Sequence, residues 1–206
     1  MKSLQSRLPI LLSLIFVITI VSLATRLHVA SAFVFVALYI GWLVIEASVA
    51  LSETSREKTN LDRGTLELYA AGRALTVITA LSLATPGPTA LAAIGAALFV
   101  AGVAFRLVAI RTLGQFYSHR VRLSGEHRVV DSGPYRYVRH PAYVGMLVAH
   151  LGVVLFFFSW PALAVFAILF VPAVVARILV EERALDGLPG YREFAQHRAR
   201  LLPMVW

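Results

Sequence analysis

"PAYVGMLVAHLGVVLFFFSWPALAVFAILFVPAVVARILVEE", Pro141 to Glu182, consists of two apolar runs joined by a Ser-Trp-Pro turn and closed by two adjacent carboxylates. A helix needs about 20 apolar residues to cross roughly 30 Å of hydrocarbon, and each run approaches that length. Neither alternates polar and apolar residues as a lipid-facing barrel strand does, so both read as helices. Proline is favoured at a helix start because its missing N–H would be unpaired there anyway, which suits Pro141 and Pro161. The stretch therefore predicts a helical hairpin in a membrane, over about 142–158 and 161–180, with both ends returned to one side. The shorter run, with His150 inside it, is the weaker span.

Four further apolar segments precede it, at about 9–25, 30–51, 66–85 and 89–110. With 59% hydrophobic and 15% charged residues and a mean hydropathy of +0.77, the chain falls outside the soluble globular range. The expected class is an all-α integral membrane protein with about six transmembrane helices. Ile10 to Ala24 follows Lys2 and Arg7 as the core of a signal peptide would, but no small-residue cleavage site follows and a second apolar run begins at once. It is expected to be a retained helix. "TPGP", Thr85 to Pro88, ends the third segment. The absence of cysteine excludes a disulfide framework and a thiol nucleophile.

The formal charge of +8 would suggest nucleic acid or anionic surfaces in a soluble protein; in a membrane protein its distribution sets orientation. With both termini on one side, Lys2, Arg7, the 52–65 loop, the 111–141 region and the tail after Arg177 share that side, and only Arg26 lies opposite. The basic side is expected to be cytoplasmic, and an odd number of spans would move an Arg-rich region outside. The chain reads as one structural unit. A four-helix membrane part spans 1–110 and a catalytic region 111–206, the latter divided into cytoplasmic loop 111–141, hairpin 142–180 and cytoplasmic tail 181–206. The hairpin brings loop and tail together, making them the candidate water-accessible site. The 52–65 loop reads as a solvated connector, and Gly95 and Gly102 as close helix packing.

Each polar feature has a bland reading. Arg139-His140-Pro141 suits a basic helix start, and Tyr135, Tyr137 and Tyr143 an aromatic membrane belt. Gly133-Pro134 and Gly145 add backbone that a ligand can approach closely, and the helix start presents free N–H groups. Arg177 and Glu181 are four apart and share a helix face. Carboxylates Glu181 and Glu182 stand where a membrane helix prefers Lys or Arg, which makes function and solvation about equally plausible. Glu46 reads as a snorkelling side chain and His150 as a packing or hydrogen-bonding residue. The histidine spacings fit no di-iron or zinc site, and dinucleotide, Walker, hydrolase-elbow and metalloprotease motifs are lacking, so no metal is expected.

Taken in order, "LG" (Leu113-Gly114), "HRVV" (His127 to Val130), "SGPYRYVRHPAYVG" (Ser132 to Gly145), "EERAL" (Glu181 to Leu185) and "RLLP" (Arg200 to Pro203) form a specific pattern. It resembles the isoprenylcysteine carboxyl methyltransferase family, in its prokaryotic form, and more distantly the phospholipid N-methyltransferases, over roughly 110–206. The resemblance implies a helical membrane bundle whose cytoplasmic end folds over S-adenosyl-L-methionine while a lipidic or isoprenylated substrate enters from the bilayer. It implies that His127, Arg128, Val129, Val130, Tyr135, His140, Pro141, Ala142 and Tyr143 line the cofactor site and that Glu181 holds a polar group of the cofactor. Arg177 matches an arginine associated with substrate and catalysis. The tail departs from the family pattern: "LDGLPGYREF" is about two residues shorter and offers Leu188 and Tyr191. The first apolar segment is additional to the smallest members.

The expected activity is methyl transfer to the carboxylate of a lipidic substrate, with partners limited to that substrate and the membrane and no nucleic acid. N-methylation of an amine or phospholipid is the alternative, disfavoured by the lack of a G-x-G triplet. A non-enzymatic transporter or structural protein is the other, and it would want paired charges within discontinuous helices.

Overall fold

The computed structural model describes residues 2–52, 64–84, 89–118, 129–203 and 206. The Thr85–Pro88 turn, most of the 52–65 loop, and His127 and Arg128 lie outside the described residues. The described chain is helical, without a strand. Its helices are α1 Lys2–Leu27, α2 Ala30–Ser52, α3 Thr65–Ser82, α4 Thr89–Leu113, α5 Pro141–Phe156, α6 Trp160–Leu185 and the short α7 Tyr191–Gln196. The six apolar segments expected from sequence thus coincide with α1 to α6. Ala30–Val49, Thr89–Phe116 and Trp160–Leu185 are each long and apolar enough to cross a membrane, and Leu11–Leu27 and Pro141–Phe156 are shorter apolar helices. This is an all-α membrane protein.

The α4 and α5 helices pack antiparallel along a seam of four glycines, because only a bare backbone lets two helices approach this closely. Gly95 faces Gly152 and Gly102 faces Gly145. A Cβ at Gly95 would stand 2.5 Å from the Phe156 nitrogen, and one at Gly145 2.7 Å from the Arg106 backbone nitrogen. The packing role read for Gly95 and Gly102 is the one they have. A third close approach joins α3 to α6, where Gly72 lies 3.1 Å, measured from a built Cβ, from the Phe170 Cα.

The turn between α5 and α6 is short, and the Ser159 hydroxyl caps α6 by accepting from the Ala162 N–H at 3.3 Å. Past the turn the hairpin's arms part: α5 lies along α4, and α6 lies along α3. One π turn, Phe166–Phe170, interrupts α6 just before Pro172, where a missing N–H disturbs the regular ladder.

Aromatic side chains from α2 fill the space between these pairs. Phe35 stacks on Phe156 at 4.2 Å and meets Phe99 at 4.7 Å. Tyr39 and Trp42 are buried beside His150 and Phe99. His150 is fully buried, with Nδ1 2.9 Å from the Met146 carbonyl and Nε2 3.2 Å from the Tyr39 hydroxyl. Both ring nitrogens are satisfied, so the packing and hydrogen-bonding reading of His150 holds.

Candidate active site

Four parts of the chain meet at the end of the bundle where α2, α4 and α6 finish and α3 and α5 begin. The first is the approach to α5. Gly133–Arg136 forms a single 3₁₀ turn, and Gly133 has φ +55°, in the left-handed region that favours glycine. This turn buries Tyr135. Burial pushes its hydroxyl far above an ordinary phenol, and the Glu181 carboxylate adds to the effect, so Tyr135 stays neutral. His140 precedes α5, and Pro141 is its first residue.

The second part is the end of α6. Arg177 and Glu181 fall on one face, one turn apart, and both open onto the same cavity. Arg177 is only 3% exposed; it donates to the Thr65 hydroxyl at 3.4 Å and stands 5.9 Å from the Tyr69 ring centre. Glu181 accepts from the Tyr143 hydroxyl at 2.8 Å. Glu182 turns the other way. Its carboxylate meets Arg139 at 2.7 Å, His140 at 3.3 Å and Arg200 at 2.7 Å.

The third part is the tail. Gly190, with φ +80°, turns the chain into α7, and Leu188, Tyr191 and Phe194 then line the cavity. Beyond α7 the chain returns to the start of α5, where the Arg139 N–H donates to the Ala199 carbonyl at 2.8 Å and the His140 N–H to the Arg200 carbonyl at 3.0 Å. Loop and tail are therefore joined in space, as the hairpin reading requires.

The fourth part comes from α2 and α4 and was not found in the sequence. Arg106 grips Glu46 with two hydrogen bonds, Nε to Oε1 at 2.6 Å and Nη2 to Oε2 at 2.7 Å. Its remaining contacts run to the Ala142 carbonyl at 3.0 Å and the Tyr117 hydroxyl at 2.9 Å. The Trp42 indole also donates to Glu46, at 3.1 Å. Glu46 does not snorkel: it is 7% exposed and held in a buried pair. The available signal was Arg106 itself, a cation inside the apolar 89–110 run, where an ionisable residue needs a partner or a function.

Of the residues that the sequence assigns to the site, Val129, Val130, Tyr135, His140, Ala142, Tyr143, Arg177 and Glu181 line this one cavity. Pro141 is buried at the start of α5 and is not among the lining residues. Tyr69, Arg106, Phe116 and Tyr117 line the cavity without having been singled out. Among the described residues no group of acidic and histidine side chains is arranged to hold a metal ion.

Residues 94–187 match the model of the isoprenylcysteine carboxyl methyltransferase family. Over this region the chain is similar to that family. It is 30% identical over 115 residues to protein-S-isoprenylcysteine O-methyltransferase A of Arabidopsis thaliana, covering 54% of this chain and 58% of that protein. A probable protein-S-isoprenylcysteine O-methyltransferase of Oryza sativa subsp. indica is 28% identical over 116 residues, covering 54% and 61% respectively. The chain thus spans about three fifths of the length of these relatives. The matched region contains Arg106, the approach to α5, Arg177 and both glutamates. Glu46, Tyr69 and the cavity residues of the tail lie outside it.

Proposed function

We propose that this protein transfers a methyl group from S-adenosyl-L-methionine to the carboxylate of an isoprenylated or other lipidic substrate, at the cytoplasmic face of the membrane. The observation that carries the reading is the pairing of Arg177 and Glu181, a buried cation and a carboxylate one helical turn apart in one cavity. The methyltransferase family match supports it.

The residues suit such a cofactor. Glu181 offers an acceptor for an ammonium group, and the rings of Phe116, Tyr135, Tyr191 and Phe194 offer faces for a purine. The buried Tyr69 hydroxyl has no hydrogen-bond partner among the described residues, leaving a polar group turned to a cavity that a polar ligand would satisfy. When bound, S-adenosyl-L-methionine supplies an electron-poor methyl group on a sulfonium.

A carboxylate is already a nucleophile, so the protein needs no general base for its attack. What the chain contributes is position and dryness. Arg177 would hold the substrate carboxylate, its planar fork fixing the direction of one oxygen. Leu188, Tyr191 and Phe194 line the cavity and would keep water from a bound cofactor. An amine acceptor would instead want a carboxylate base and gain nothing from a buried arginine.

The test is transfer of labelled methyl from the cofactor into a membrane extract by purified protein, followed by base treatment of the product. A carboxyl methyl ester releases label in base. A base-stable product would overturn carboxyl methylation in favour of an amine acceptor, and no transfer by protein shown to be folded would overturn the enzyme reading.

A further inference from the structure

The two adjacent glutamates divide their work. Glu181 faces the cavity through Tyr143, whereas Glu182 faces away and collects two guanidinium groups and the His140 ring from two separate parts of the chain. Arg139 and His140 come from the cavity wall ahead of α5; Arg200 comes from the far end of the tail. Between Glu182 and Arg200 the chain leaves α6, turns at Gly190, forms α7 and supplies Leu188, Tyr191 and Phe194 to the cavity. The 2.7 Å contact of Arg200 Nε with Glu182 Oε2 therefore ties together the two ends of the excursion that walls the cavity.

Alongside it run the parallel pairing of Val138 with Ala199 and the backbone bonds from Arg139 and His140 to Ala199 and Arg200. The guanidinium of Arg200 also lies over the Trp206 ring, 5.0 Å from its centre. A surface ion pair is weak because solvent screens it and its side chains are free to leave. This carboxylate is different: its side chain is 11% exposed, and two arginines and the His140 ring surround it.

We propose that Glu182 and Arg200 form a clamp that closes the 182–200 excursion over the cavity, with both acting as positioning residues. Glu182 holds Arg139 and His140 in the wall, and Arg200 carries the tail to them. Closing a loop at its ends removes the chain entropy that would otherwise favour an open tail. The consequence for a bound cofactor rests on the cavity being the cofactor site. The clamp itself does not.

The experiment compares Glu182→Gln, Arg200→Gln and the double variant with the parent protein, using hydrogen–deuterium exchange over 188–203 and calorimetric titration with S-adenosylhomocysteine. Both single variants should raise exchange across that segment by about tenfold, and the double variant should raise it by less than the two effects combined, because the contact that the two residues share is already lost in each single. Arg200→Lys, which keeps the charge, should restore much of the protection. Affinity for S-adenosylhomocysteine should fall by about tenfold in both singles, with kcat at saturating cofactor within about threefold of the parent. Arg200 does not line the cavity, so a merely local ligand effect would spare its variant. Unchanged exchange in either single, or effects that add in the double, would overturn the clamp. Failure of the parent protein to bind S-adenosylhomocysteine would instead overturn the cofactor reading, and the exchange result would still decide the clamp.

Discussion

Arg177 and Glu181 share a helix face and a cavity but should fail differently when altered. Glu181→Gln keeps the shape and removes the negative charge, so affinity for S-adenosylhomocysteine should fall about tenfold in calorimetric titration. Arg177→Lys keeps a charge but loses the planar fork, so turnover should fall by about two orders of magnitude while that affinity stays within about threefold. The Glu46–Arg106 pair is buried on both sides, at 8% and 3% side-chain exposure. Removing one partner strands the other, and Arg106→Leu should destabilise the protein by about 3–5 kcal/mol, read as a lower midpoint of thermal unfolding in detergent. Arg177 and Glu181 were legible because four-residue spacing fixes their common face. Arg106 was passed over inside an apolar run, and its partner Glu46 lies sixty residues away, a pairing that periodicity cannot state.

The places of all six apolar helices were legible, since a hydrocarbon layer sets the length of an apolar run and Pro141, Ser159 and Pro161 mark two of the starts, but α1 begins seven residues before its apolar run and α6 runs on five residues past its own. Which helices touch was less so. The hairpin joins α5 to α6 in sequence, yet the glycine seam gives α5 to α4, and the Gly72 approach helps give α6 to α3. The seam predicts position-specific sensitivity. Gly102→Val would overlap the Ala149 backbone, and overpacking of this kind should cost about 1–3 kcal/mol or more in thermal unfolding. Gly41 in α2, where a Cβ meets nothing within 4 Å, should accept alanine with a gain of about 0.5–1 kcal/mol.

For the whole molecule the proposed arrangement places the α1–α2 turn opposite the cavity, with the cavity on the cytoplasmic side. The chain contains no cysteine, so single cysteines report topology without background. Val29→Cys and Tyr137→Cys sit at exposed positions, 51% and 69% accessible. An impermeant maleimide added to intact cells should label Val29→Cys alone, and Tyr137→Cys should label only after permeabilisation. Equal labelling of both from outside would overturn the arrangement. A polar cofactor and a lipid acceptor can meet only where water and bilayer adjoin, and the proposed arrangement puts there the end of the bundle that holds Arg177, Glu181 and Glu182.

The sequence by itself determined the class, the number and place of the apolar helices, the return of loop and tail to one end, and part of the cavity lining. These are local or additive properties: hydropathy, helical period and charge distribution along the chain. Tertiary structure alone decided that Glu181 and Glu182 point apart, that Glu182 binds both ends of the tail excursion, and that Glu46 and Tyr69 from the N-terminal half reach the same site. Each of those depends on how helices rotate and cross. That is fixed by glycines and aromatics meeting across the bundle, distances no single stretch of sequence contains.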